Sequence, residues 1–135
     1  MDLYHELLEK AQKVRERAYA PYSNFPVGAA LLTEDGEIFT GCNVENASFG
    51  LTICAERAAV FGALAAGKRN FTGLALIADT EEPPTPCGAC RQVLHEFAPQ
   101  MWIYCANLKG EKVLWQLREL LPAPFSAKKD QESLF

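Results

Sequence analysis

The sequence lacks several features that would place it in other protein classes. No apolar run approaches the ~20 residues that a membrane-spanning helix needs, and the charged, amphipathic N-terminal segment has no signal-peptide core. Internal repeats, low-complexity segments and long linkers are also missing from the 135 residues. We therefore expect a cytoplasmic protein with one domain over residues 1–135, of which about 126–135 form a mobile tail.

Basic charge and histidine are both scarce. Thirteen Lys and Arg residues face seventeen Asp and Glu residues, which gives a net charge of −4. This balance disfavours a nucleic-acid binder, because such proteins usually present a basic face to phosphates. The two histidines, His5 and His95, have no candidate metal ligand near them in sequence. The sequence thus offers no histidine-based metal site, and its candidate ligands are cysteines.

Hydrophobic spacing and turn residues predict alternating strands and helices after an opening hairpin. Asp2 can cap the first helix and Gly67 can end the second. The predicted helices cover residues 2–18, 54–66, 88–97 and 113–121, and the predicted strands cover 27–32, 38–44, 74–78 and 102–106. This order predicts an α/β fold in which helices cover both faces of a mixed sheet.

The five cysteines include one C-x-x-C pair, Cys87 and Cys90. A redox dithiol or half of a structural zinc site can have the same spacing, but the chain has no second C-x-x-C. Cys54 lies at the start of another predicted helix. Three cysteine ligands would leave the fourth tetrahedral position of zinc open, as in catalytic zinc sites.

Charged residues accompany these cysteines. Glu56 follows Cys54 by two residues and could exchange protons with a water in the open position. Arg57 and Arg91 lie within a few residues of the ligands. Three thiolates on Zn²⁺ leave a net negative charge, so we hypothesise that at least one arginine donates hydrogen bonds to the sulfurs.

Five sequence blocks resemble the cytidine deaminase family, of the small, homotetrameric zinc type. They are FPVGAAL (25–31), NVENAS (43–48), TICAER (52–57), PCGACRQV (86–93) and LLPAPF (120–125). C-x-E with P-C-x-x-C is also the three-cysteine form of the zinc deaminase signature. The resemblance implies a three-layer α/β/α fold around a mixed five-stranded sheet. It also implies zinc-dependent hydrolysis of cytidine and 2′-deoxycytidine to the uridine products and ammonia, as in pyrimidine salvage.

The same resemblance assigns roles to individual residues. It implies that Glu56 is the catalytic proton carrier and that the zinc ligands are Cys54, Cys87 and Cys90. Other positions match the family's substrate contacts: Asn43 and Glu45 for the sugar hydroxyls, Phe25 and Phe125 for the pyrimidine ring, and the groups near Ala55 for the base edge. The family builds each site from more than one subunit, so Ala47, Ser48 and Phe49 are expected to serve a neighbour's site. Phe49 departs from the tyrosine that is frequent in the family.

Three alternatives remain open. A deaminase of another aminopyrimidine, such as blasticidin S, would share the zinc motif, although NVENAS and FPVGAA favour a nucleoside. A polynucleotide-editing deaminase would need a basic channel, which the charge of −4 disfavours. A non-catalytic, zinc-stabilised module would need the cysteines but not Glu56.

Overall fold

The structure, a computed structural model, describes residues 3–127. Its helices are α1 (Leu3–Arg15), α2 (Ala55–Ala65), α3 (Gly88–Phe97) and α4 (Leu117–Leu120), and its strands are β1 (Val27–Thr33), β2 (Ile38–Cys42), β3 (Phe71–Ala78), β4 (Trp102–Asn107) and β5 (Lys112–Gln116). The predicted cap Asp2 and all but the first two residues of the predicted tail lie outside the described residues. No helix within 3–127 has the length and apolar content needed to cross a bilayer.

The five strands form one mixed sheet in the order β2-β1-β3-β4-β5. β3 and β4 are parallel, and the other neighbouring strands are antiparallel. The parallel pair needs a crossover, which the chain makes through α3. The mixed sheet expected from the sequence is therefore confirmed.

Helices cover both faces of this sheet. On one face, α1 packs against alternate residues of β1 and β3, and this core comprises Leu7, Leu8, Ala11, Ala30, Leu32, Ala75, Ile77 and Ala106. On the other face, α2 and α3 pack against the intervening residues, which include Ala29, Leu31, Leu74 and Leu76. Because side chains alternate across a strand, β1 and β3 each contribute to both cores. The molecule has the expected three layers.

Two glycines allow a helix to approach the sheet closely. A Cβ atom on Gly28 would lie 1.9 Å from the main-chain oxygen of Ala11 in α1. A Cβ on Gly41 would lie 2.4 Å from the main-chain nitrogen of Ala59 and 2.5 Å from the oxygen of Ala55, both in α2. Both obstacles are backbone atoms, which cannot rotate away. Gly41 in particular determines how closely α2 packs against the sheet. This matters for function because the candidate site lies at the N-terminus of α2.

We expect Gly41→Ala to destabilise the protein by about 1–3 kcal/mol, because α2 must shift to admit the methyl group. The measurement is the thermal unfolding midpoint at fixed protein and zinc concentrations. Gly73→Ala is the matched control, since its Cβ would meet Tyr4 at an ordinary 3.6 Å. Equal unfolding midpoints for the two variants would contradict close packing of α2 against Gly41.

The prediction of a helix over residues 113–121 is wrong. This stretch contains β5, followed by the four-residue α4. Gly110, with φ +91°, turns the chain back after β4, so that residues 112–116 pair antiparallel with β4. Val113 and Trp115 are good strand formers. Helical geometry starts only where the side chain of Glu119 accepts a hydrogen bond from the main-chain nitrogen of Gln116, at 2.8 Å.

Candidate active site

Three cysteine sulfurs meet where α2 and α3 begin. Cys54 and Cys87 are the N-cap residues of the two helices, and Cys90 lies one turn into α3. The Sγ atoms of Cys54 and Cys87 are 3.8 Å apart, those of Cys87 and Cys90 are 3.5 Å apart, and all three lie within 4.8 Å of one another. A tetrahedral zinc with Zn–S bonds of about 2.3 Å sets neighbouring sulfurs about 3.8 Å apart. The three cysteines therefore fit a zinc ion as ligands.

The surroundings favour thiolate at Cys54. Hydrogen bonds from Cys90, Arg57 and Cys87 outweigh burial and lower the pKa of Cys54 to about 5. The amino ends of α2 and α3 contribute in the same direction, because a helix N-terminus carries partial positive charge. Cys105 differs from Cys54: burial, with the nearby charge of Glu56, raises its pKa to about 12. The hydrogen bond with Cys54, together with burial, also raises the pKa of Cys90, so position and not pKa sets the three clustered cysteines apart as candidate ligands.

Glu56 lies in the first turn of α2 and is only 5% exposed. Burial raises the pKa of its carboxyl group to about 7, and the charge of Cys54 adds to this effect. A carboxyl group with a pKa near neutrality can both accept and release a proton in working conditions. Its position next to the sulfur group thus provides a proton carrier beside a metal site.

The two arginines next to the ligands make different contacts. Arg57 donates from Nη2 to the sulfur of Cys54 at 3.3 Å, which is the kind of contact that the charge-compensation hypothesis requires. Its Nε is buried without a hydrogen-bond partner among the described residues. Arg91 instead donates to the carbonyls of Pro86 and Leu120, both at 2.7 Å, and to the hydroxyl of Thr85 at 3.1 Å. Arg91 therefore connects the segment before Cys87 with the C-terminal segment.

The side chains of Asn43 and Glu45 both hold the loop before β1. Asn43 is 8% exposed, accepts from the nitrogen of Val27 and donates to the carbonyl of Phe25, both at 2.9 Å. Glu45 accepts from the main-chain nitrogens of Tyr22 and Ser23 and from the hydroxyl of Ser23. Although β2 ends at Cys42, the two side chains point toward the same segment.

A cavity of about 340 Å³ adjoins this loop and is lined by Tyr22, Ser23, Glu45, Phe49 and Thr52. Phe49 is 73% exposed and contacts the ring of Tyr22 edge-on, with centroids 5.7 Å apart. Phe25 is also exposed. Thr52 lies two residues before Cys54, so the cavity is close to the sulfur group along the chain. Aromatic and carboxylate groups at one cavity suit a ligand with a flat ring and hydroxyls.

The remaining expected site residues lie in different surroundings. Ala55 is completely buried where α2 contacts β2. Ala47 and Ser48 are exposed beside the short 3-10 helix Phe49–Leu51. Phe125 has a largely exposed ring, and its main chain is hydrogen-bonded to the side chain of Gln92.

Comparison with known proteins identifies the family. Residues 1–106 match the family model described as cytidine and deoxycytidylate deaminase zinc-binding region. The chain belongs to this family. A cytidine deaminase from Sporosarcina psychrophila is 53% identical over 122 residues, which is 90% of each chain. A probable cytidine deaminase from Dictyostelium discoideum is 44% identical over 88% of this chain and 81% of the relative.

Solved structures of the family share the fold. The 1.6 Å crystal structure of cytidine deaminase from Burkholderia pseudomallei superposes with a TM-score of 0.89 and 52% identity. The match covers 93% of this chain and all of that one. The prediction of a cytidine deaminase family member, made from five sequence blocks, is therefore confirmed, and so is the expected α/β fold.

Sequence reasoning gave no role to three residues that contact candidate site residues. Tyr22 and Ser23, which donate hydrogen bonds to Glu45, belong to no recognisable motif, although the Pro-Tyr-Ser-Asn stretch around them indicates a turn. Gln92 lies inside the block PCGACRQV, but the sequence assigns it no role. Its contact joins residues 33 positions apart, and sequence spacing gives no sign of such a pair.

Proposed function

We propose that the protein is a zinc-dependent hydrolase that deaminates cytidine and 2′-deoxycytidine to the corresponding uridines, with release of ammonia. The observation that carries this proposal is the group of three cysteine sulfurs with the buried carboxyl group of Glu56 beside it. A purely structural zinc site needs the sulfurs, but it has no use for a buried carboxyl group with a pKa near 7. Relatives at about 50% identity that are named cytidine deaminase support the same substrate class.

Each residue in the proposal has a chemical task. Cys54, Cys87 and Cys90 would hold the zinc, which when bound supplies a Lewis acid that makes water a nucleophile near neutral pH. Glu56 accepts the proton released by that water and delivers it to the ring nitrogen N3. The oxygen of the water bonds to C4 of the pyrimidine. Glu56 then takes the second proton from that oxygen and delivers it to the 4-amino group, so that the C4–N bond breaks, ammonia leaves and the C4 carbonyl of uridine forms.

The loop contacts leave capacity for a sugar. A carboxylate offers about four lone-pair positions, and the loop occupies three at Glu45. The amide of Asn43 likewise has a second N–H and a second lone pair beyond its bonds to Phe25 and Val27. We propose that these free positions bind ribose hydroxyls, with Phe25 against the base. The loop bonds fix both side chains before the substrate arrives, which lowers the entropic cost of binding.

We also propose a homotetramer in which subunits share active sites. Support comes from large apolar side chains exposed near the candidate site: Tyr19, Tyr22, Val44, Phe49 and Leu51. Exposed apolar patches of this kind are typical of protein–protein contacts. Sedimentation equilibrium measures the assembly, and a monomer at micromolar concentration that is fully active would contradict shared sites.

The substrate class is tested with a panel of cytidine, 2′-deoxycytidine, cytosine, cytidine monophosphate and blasticidin S. We expect ammonia release and loss of the cytidine absorbance for the two nucleosides, with zinc content measured on the same samples. Preference for blasticidin S would replace the nucleoside assignment. Zinc-loaded protein that releases no ammonia from any compound would favour a non-catalytic, zinc-stabilised module.

We expect Arg57→Gln to weaken zinc binding or turnover by about 10–100-fold, as for residues that orient metal ligands. The variant removes the positive charge 3.3 Å from the sulfur of Cys54. Zinc affinity is measured by competition with a chromophoric chelator. Arg17→Gln is the control, because Arg17 is an exposed arginine in the segment after α1. If both variants bind zinc like the wild type, Arg57 has no influence on the metal.

A further inference from the structure

The amide side chain of Gln92 forms two hydrogen bonds with the main chain of one residue, Phe125. Its Nε2 donates to the carbonyl oxygen of Phe125 at 2.8 Å, and its Oε1 accepts from the nitrogen of Phe125 at 3.2 Å. A glutamine amide has a donor and an acceptor side by side, so it can satisfy both main-chain groups of a single residue. This pair of bonds is called the Gln92 clamp below.

The clamp connects the C-terminal segment with the helix that carries two zinc ligands. Gln92 lies two residues after Cys90 on α3, which is about 3 Å along the helix axis. The preceding residue, Arg91, donates to the carbonyl of Leu120 at 2.7 Å. Two consecutive side chains of α3 therefore hold the chain between the end of α4 and Phe125 close to the start of α3.

Phe125 as a residue is 68% exposed, although both its main-chain nitrogen and its carbonyl oxygen are hydrogen-bonded. Exposing a phenylalanine ring forgoes the favourable free energy of burying it, and holding its backbone in place does not compensate for this. The arrangement is understandable if the ring becomes covered when a flat ligand binds. Fixing its backbone in advance then lowers the entropy lost on binding.

We propose that Gln92 is a positioning residue that holds the Phe125 ring against the pyrimidine of the substrate. The inference rests on the proposed function and adds a residue to which that proposal gave no role. Gln92 touches no substrate atom in this scheme and acts only through Phe125. Its loss should therefore weaken substrate binding while leaving the zinc group and the proton transfer by Glu56 intact.

The clamp is tested first without any substrate, by hydrogen–deuterium exchange of a peptide containing residue 125. Gln92→Leu removes both bonds, and we expect the amide of Phe125 to exchange about 3–10-fold faster. Gln92→Glu keeps the acceptor for the Phe125 nitrogen but places a carboxylate oxygen against the Phe125 carbonyl, so exchange of this amide should lie between those of the wild type and Gln92→Leu. Gln12→Leu, at an exposed glutamine of α1, is the control. Unchanged exchange in Gln92→Leu would overturn the clamp.

The positioning role is tested by a double-mutant cycle on the zinc-loaded enzyme with cytidine. We expect Gln92→Leu to raise KM about 3–10-fold with a smaller effect on kcat, and Phe125→Ala to raise KM at least as much. If Gln92 acts through Phe125, the double variant should be no worse than Phe125→Ala alone. Effects that multiply, or a KM that Gln92→Leu leaves unchanged, would overturn the proposal.

Two further measurements distinguish loss of the positioning role from loss of subunit assembly and from failure of the proposed function. Sedimentation of Gln92→Leu should match the wild type, and loss of assembly would instead make the clamp an element of a subunit contact. If the wild-type enzyme fails to deaminate cytidine while Gln92→Leu still accelerates exchange at residue 125, the proposed substrate is wrong and the clamp stands as a feature of the fold.

Discussion

Glu56→Gln is expected to lose about 10²–10⁴-fold in kcat for cytidine and to keep its zinc. Glutamine has nearly the same shape as glutamate but cannot carry a proton, and general acid–base groups typically contribute a factor of this size. The site makes the loss especially large, because the carboxyl group is 5% exposed and its pKa is raised to about 7. Bulk water cannot easily replace a proton carrier in such a place. Initial rates and zinc content are measured on the same preparations.

Stability measurements test whether Glu56→Gln loses activity merely because the variant is less stable. A buried neutral amide costs less to desolvate than a buried carboxylate, so the unfolding midpoint of Glu56→Gln should not fall below that of the wild type. Glu6→Gln, in the exposed first turn of α1, controls for the loss of a negative charge. A Glu56→Gln enzyme with wild-type turnover would remove Glu56 from the mechanism.

The fold was predictable from the sequence wherever one element had a strong pattern of its own. The helix predicted over 88–97 has the same bounds as α3, because prolines delimit both sides and apolar residues repeat at helical spacing. β5 was missed because three of its five residues, Lys112 to Leu114, are exposed and give no clear alternation. Its strand conformation depends on pairing with β4, a tertiary interaction that local propensity does not encode.

The candidate site was also predictable from the sequence only in part. Cys54, Cys87, Cys90 and Glu56 could be predicted because metal chemistry restricts residue type and spacing. The structure adds what spacing cannot show, namely that two helix N-termini bring the sulfurs within 4.8 Å. Arg57 and Arg91 looked equivalent in sequence, yet only Arg57 is shown donating to a sulfur. Which way a long side chain turns depends on the carbonyls that its neighbours leave available.

The small residues of α2 and its C-cap differ in burial from one side of the helix to another. Ala55, Ala59 and Ala63 are completely buried in the chain's own core. Gly62 and Ala66 are exposed on another side of the helix, where Phe61 is also exposed. The first set provides close packing on the sheet, as the Gly41 contact shows. The second set is available for contact with another subunit in the proposed tetramer.

Cys87→Ala is expected to abolish stoichiometric zinc binding and, with it, cytidine deamination. Removing one of three ligands leaves two sulfurs, too few for the three protein ligands that a catalytic zinc requires. Zinc binding also contributes to the stability of the folded state. The unfolding midpoint of zinc-loaded protein should therefore fall in the variant to that of the chelator-treated wild type. Metal content per chain is measured by atomic emission after gel filtration.

Cys105→Ala is the control that makes this prediction specific. Cys105 is also a free cysteine and is fully buried, but it lies outside the sulfur group. Its loss should cost some packing energy and leave one zinc per chain. Zinc retained by Cys87→Ala at full occupancy would refute the ligand set, whereas zinc lost equally from both variants would mean that folding, and not coordination, controls metal content. The expected contrast, in which only Cys87→Ala loses metal, follows from position and not from the number of thiols.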